Sequence, residues 1–132
     1  MKTYESWVTQ FVENLSDYFN LCGWAIEVIQ SDTPPDNPVV YAKINVDSVY
    51  YLAEITIYPI AKEDFAAGRT DRFTKSLVHE FVHIFLDPFH DHATRFLSPA
   101  TTTSFIDILE QQTQKLTMVL LKSLPKNIIP RR

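Results

Sequence analysis

From Thr3 to Leu21 the apolar positions return every three or four residues: Tyr4, Trp7, Val8, Phe11, Leu15, Tyr18 and Phe19, with Glu5, Glu13 and Asp17 between them. That spacing lays one apolar stripe along a helix. Thr3 is placed to cap its start, and Gly23 suits the left-handed residue just past its end. The period then drops to two. Trp24, Ile26 and Val28 alternate with Ala25, Glu27 and Ile29, which predicts a strand. Ser31 to Pro38 holds three prolines and two aspartates and predicts a loop. Ala42, Ile44 and Val46 then alternate with Lys43 and Asn45. Asp47-Ser48 reads as a turn, and Val49 to Tyr58 is rich in β-branched and aromatic residues until Pro59 stops it. Three strands are expected, the last two as a hairpin.

Beyond a short polar segment, Thr70 or Asp71 caps a second helix running to Leu86, with Asp87-Pro88 as its stop. Phe73, Leu77, Val78, Phe81, Val82, Ile84, Phe85 and Leu86 make it apolar nearly all round, the mark of a buried helix. Residues 87–103 are expected to form an irregular connection. Ser104 with Asp107 makes a capping-box pattern that opens a third long helix to about Leu124. The expected class is α+β, a small twisted sheet packed on helices. One domain is expected over residues 1–124, followed by a basic tail over 125–132.

Composition narrows the function classes. At 45% apolar and 13% aromatic, the 132 residues hold enough material for one core, which excludes a disordered chain. Residues 1–110 carry all 16 acidic and 7 of the basic side chains, whereas residues 111–132 carry 5 basic and none acidic. The net charge of −4 advertises no nucleic-acid face. A single cysteine, Cys22, excludes an internal disulfide and a multi-cysteine metal site. No apolar run approaches the ~20 residues of a membrane span. Glu5, Glu13 and Asp17 interrupt any signal-like stretch. A soluble, cytoplasmic protein with no nucleic-acid or membrane partner is the expectation. For the aromatic residues Tyr41, Tyr50 and Tyr51, the pattern leaves core and surface both open.

Inside the second helix stands His79-Glu80-Phe81-Val82-His83, the pattern H-E-x-x-H. With 4 His and 7 Glu in the chain, chance supplies about 0.006 such matches. Residues four apart lie one turn apart on the same helix face, so both imidazoles can reach one ion, and zinc is the usual occupant. Glu80, turned about 100° round the helix from His79, is poorly placed as a third ligand and well placed as the general base for a water at that ion. Two histidines merely packed in a core helix would cost several kcal/mol without a partner.

On H-E-x-x-H at 79–83, and more loosely on residues 104–121, the chain resembles the zincin metallopeptidases. Within them it resembles the gluzincins, and most of all the very small minigluzincin-type proteins of bacteria and phages. The resemblance implies a mostly antiparallel sheet, an active-site helix, and a glutamate ligand on the helix that follows. Glu110 is the only acid in the third helix after its capping position, beside the stripe Leu109, Leu116 and Leu120. The implied zinc ligands are therefore His79, His83 and Glu110. Residues 109–114 read Leu-Glu-Gln-Gln-Thr-Gln and lack the longer signature of the large gluzincins, with Thr113 or Gln114 as candidates to orient a histidine. His90 and His92 are the rival ligands. The metzincin pattern would need glycine at 86 and histidine at 89, where this chain has Leu86 and Phe89. The resemblance also implies an edge strand within Tyr50–Tyr58 that pairs with an extended substrate. Candidate oxyanion donors, by residue type, are Tyr58, His90, His92 and Arg95.

The expected function is a Zn²⁺-dependent peptidase acting on a peptide or protein substrate, with Glu80 as base. The alternatives are a zincin-fold metal-binding module with a regulatory or partner-binding role, and a structural site with all positions filled, for example by His90.

Overall fold

A computed structural model describes residues 2–132. Helix α1 spans Tyr4–Tyr18, and the side chain of its cap Thr3 accepts a hydrogen bond from the Ser6 N–H. The helix ends earlier than Gly23 suggests. Asn20 takes the left-handed conformation at φ 56, and the N–H groups of Asn20 and Leu21 donate to the Asp17 and Ser16 carbonyls. This is a Schellman closure with asparagine where glycine is the commoner choice.

Strands β1 (Ala25–Gln30), β2 (Ala42–Asp47) and β3 (Leu52–Ile57) form one sheet in the order β1-β3-β2. β2 and β3 make the expected antiparallel hairpin, whereas β1 runs parallel to β3. The sheet is mixed, which corrects the mostly antiparallel expectation. The edge strand that the resemblance implies within Tyr50–Tyr58 is also corrected: β3 is central and β2 is an edge. The physical reason lies in the side chains. β3 turns Ala53, Ile55 and Ile57 into the core, all buried, and a strand so apolar on one face gains most with a partner on each side. β2 carries Lys43, Asn45 and Asp47 on its outer face, as edge strands commonly do.

A short helix α2 (Pro59–Ala66) follows β3 directly. Pro59 stops the strand and also starts this helix, because a proline at the first helical position loses no hydrogen bond. The helix escaped the sequence pattern because Ala61 and Phe65 are its only buried residues, with Ile60 partly buried beside them. Helix α3 spans Asp71–Thr94, running straight through Pro88, and α4 spans Pro99–Ser123. Two expectations are thereby corrected. The second long helix does not stop at Asp87-Pro88, and residues 87–103 are not an irregular connection. Proline costs the helix one hydrogen bond, but residues beyond it have partners: Phe89 and His90 lie 5.8 and 6.2 Å, ring to ring, from Phe105 of α4. At the start of α4, Ser98 caps the Thr101 N–H and Pro99 takes the first position, so the helix opens six residues before Ser104.

The core joins α1, α3 and the inner sheet face through Trp7, Phe11, Ile55, Phe73 and Phe81. α3 packs between β2 and α4. It is not buried all round, since Phe85 is half exposed. The basic segment 125–132 lies against the domain. The Trp7 indole N–H donates to the Pro130 carbonyl at 2.9 Å, the Asn14 amide donates to the Ile128 carbonyl at 2.9 Å, and the Arg132 guanidinium sits over the Phe65 ring.

Candidate metal centre

His79 and His83 project from consecutive turns of α3 toward α4, and Glu110 projects back from α4. The two imidazole Nε2 atoms are 3.0 Å apart. Glu110 Oε1 lies 3.0 Å from His79 Nε2, and Oε2 lies 2.9 Å from His83 Nε2. Among the described residues this is the one group of three His, Cys, Asp or Glu side chains whose donor atoms converge in this way.

The proton count shows why a cation fits there. A neutral imidazole has at most one Nε2 hydrogen. Two such hydrogens cannot make good hydrogen bonds across three close contacts, and two protonated Nε2 atoms would repel each other at 3.0 Å. One cation facing all the lone pairs satisfies the three contacts together. Nitrogen and oxygen ligands at about 2.0–2.1 Å from a tetrahedral zinc lie roughly 3.3 Å apart, close to the separations found. Two histidines and a glutamate, with a fourth direction left for water or substrate, is a known catalytic zinc donor set.

The arrangement follows from packing. Phe81, Val82 and Ile84 are fully buried and fix the rotation of α3, which leaves His79, Glu80 and His83 on the side that meets α4 and β2. On α4 the buried line is Thr113 and Thr117, with Leu120 and Leu121 partly buried, and Glu110 continues that line by one turn. Leu116, expected in the stripe, is exposed. Each threonine hydroxyl donates to the carbonyl four residues back, at 2.8 Å. The Thr113 hydrogen is therefore spent within α4 and does not orient a histidine. Gln114 is exposed beside a cavity next to His79.

Glu80 stands beside the cluster without joining it. Burial pushes its carboxyl up to about 8, and the Glu110 charge adds to the rise. Burial pulls His83 below the ordinary histidine value, against the opposing pull of Glu110. Two cavities meet at Glu80. The larger, about 350 Å³, lies between Lys43–Val46 of β2, Leu86, Asp87 and His90 of α3, and Ile106 and Leu109 of α4. The smaller, about 250 Å³, lies beside Val39–Ala42 and the first turns of α3. Side chains from both faces of β2 border the larger one, so it meets that strand edge-on.

The remaining candidates are placed elsewhere. His90 is on α3 rather than on a loop, roughly 10 Å along the axis from His83. It stacks on Phe105 and lines the larger cavity, outside the converging donors. His92 packs edge-on against Phe96. Both displacements follow from the helix continuing past Pro88. Arg95 is paired with Asp91 at 2.8 Å, Tyr58 precedes α2 at the end of β3, and neither lines the two cavities at the cluster. Tyr41 is buried, with its hydroxyl donating to Asp64 at 2.6 Å, while Tyr50 and Tyr51 are exposed. The β2 border of the cleft and the cations Arg72 and Lys75 in the smaller cavity were missed from sequence. The cations had a signal, since positions 72, 75, 76, 79 and 83 share one helical face.

No protein-family model matches the chain, and neither any curated protein nor any solved structure matches it significantly. No described helix is long and apolar enough to cross a membrane.

Proposed function

We propose that the chain is a zinc-dependent peptidase of gluzincin type, with His79, His83 and Glu110 as metal ligands and Glu80 as general base. One observation carries the reading: three donors drawn from two helices converge to 2.9–3.0 Å beside a buried carboxyl and an open sheet edge. When bound, zinc supplies the positive charge that makes water a nucleophile and polarises a carbonyl. The free edge of β2 offers N–H and C=O groups that hold an extended peptide across the cluster. Glu80 takes a proton from the attacking water and gives it to the leaving nitrogen. A group that must do both works best with a raised pKa, and burial supplies that rise.

The test is metal analysis of the purified protein together with an unbiased peptide-library digest. One zinc per chain and defined cleavage products are expected. Zinc without cleavage would favour the second reading, a metal-holding module that binds a partner.

A further inference from the structure

The two cavities that meet at Glu80 differ in charge. The larger is bordered by the carboxyl groups of Asp87, Glu80 and Glu110, against Lys43 and His90. The smaller has Arg72 and Lys75 on its wall, with Ser76 between them and His79, and Gln114 facing from α4. Neither cation belongs to any of the ion pairs found among the described residues, which join Lys62 to Glu5, Arg69 to Asp64, Arg95 to Asp91, and the two histidines to Glu110. The Arg72 charge acts on the Tyr41 hydroxyl and on the Asp64 carboxylate, and Asp64 is itself engaged by that hydroxyl at 2.6 Å and by Arg69 at 3.2 Å. Among the residues that line this cavity, two positive charges face the single carboxyl of Glu80.

β2 sets the direction of a peptide across this cleft. Ala42 at the start of β2 and the residues leading into it, Val39–Tyr41, border the cationic cavity, and Lys43–Val46 of β2 border the other. Antiparallel pairing is slightly the more stable per residue. It lays the C-terminal half of an added strand beside 39–42 and the N-terminal half beside 43–46. We propose that the Arg72 and Lys75 cavity selects peptides with an acidic side chain on the C-terminal side of the cleaved bond. This rests on the peptidase reading for which bond is cut, but not for which peptides bind.

The test uses the zinc-loaded full chain and three peptides that differ only in carrying Glu, Ala or Lys just C-terminal to a cleavable bond. Wild type should favour Glu over Ala by roughly three- to tenfold in kcat/KM, the size of two exposed charge pairs, and disfavour Lys. The Arg72→Ala, Lys75→Ala variant should bring the Glu/Ala ratio to about one. Arg72→Glu, Lys75→Glu should reverse it in favour of Lys, an outcome that loss of structure cannot produce. In parallel, binding of the same peptides to zinc-loaded Glu80→Gln is followed by fluorescence anisotropy. The same ranking is expected, weakening between roughly 50 and 300 mM salt. Charge-dependent binding without cleavage by wild type would sink the peptidase reading and leave this proposal standing. Equal binding of all three peptides, no binding of any, or a preference that survives the double alanine variant would each overturn it.

Discussion

Glu110 is the one donor that α4 contributes to the cluster, and its replacement by alanine has a magnitude that the geometry sets. Its two oxygens lie 3.0 and 2.9 Å from the two imidazoles, so Glu110→Ala leaves two of the three proposed ligands, both on α3. Loss of a residue that merely supports a ligand costs about 10–100-fold in metal affinity, and loss of the ligand itself should cost at least 100-fold. A metal that binds only the folded chain stabilises it by RT ln(1 + [L]/Kd), about 4.1 kcal/mol at 1,000 Kd. At a Kd 100-fold weaker, the same zinc concentration stabilises by only about 1.4 kcal/mol. For a domain of this size the missing 2.7 kcal/mol is worth roughly 10 °C of melting temperature. In metal-free protein the variant should melt within a few degrees of wild type, because the Glu110 side chain is about half exposed, at 47%.

The assay is thermal unfolding of wild type, Glu110→Ala, His90→Ala and His92→Ala, each with free zinc and with chelator. Wild type and the two histidine variants should show the full zinc-dependent rise, and Glu110→Ala a small remnant of it. A full rise in Glu110→Ala, with loss of the rise in His90→Ala or His92→Ala, would refute the assignment and replace it with a histidine-only site.

Two further outcomes follow from the same structure. Pro88→Ala should stabilise the protein by about 1–3 kcal/mol, because α3 passes through this position and alanine restores the N–H that proline lacks; a lower denaturation midpoint would mean that the helix ends there after all. In metal-free protein the Glu80 carboxyl is raised to about 8 from an ordinary 4.5, so the folded state holds its proton more tightly. Its contribution to stability is complete below about pH 4.5 and is lost as the pH rises toward 8. Denaturant titrations across that window should show a downward slope in wild type that is weaker in Glu80→Gln; identical slopes would remove Glu80 as its source.

Local pattern carried the sequence reading far. H-E-x-x-H fixes two imidazoles on one helix face whatever surrounds them, and Glu110 stood out as the sole acid in its helix beyond the cap. The β2–β3 hairpin was legible for the same reason: alternation and a short turn are properties of neighbouring residues. What failed needed partners distant in sequence. That α3 continues past Pro88 depends on Phe105, 17 residues further on. That β3 is central depends on β1, reached across the sheet. Helix α2 has too few anchors to show a period, and Ser98-Pro99 was a legible start signal for α4 that the later capping-box pattern obscured.

The central claim, that Glu80 moves the proton at a metal held by its neighbours, is tested most directly by peptide-library turnover of zinc-loaded Glu80→Gln beside wild type. The variant keeps the size of the side chain and all three proposed ligands. It should hold near-stoichiometric zinc while hydrolysis falls by roughly 10²–10⁴-fold, the contribution of a general base. Turnover equal to wild type at equal zinc content would contradict the account.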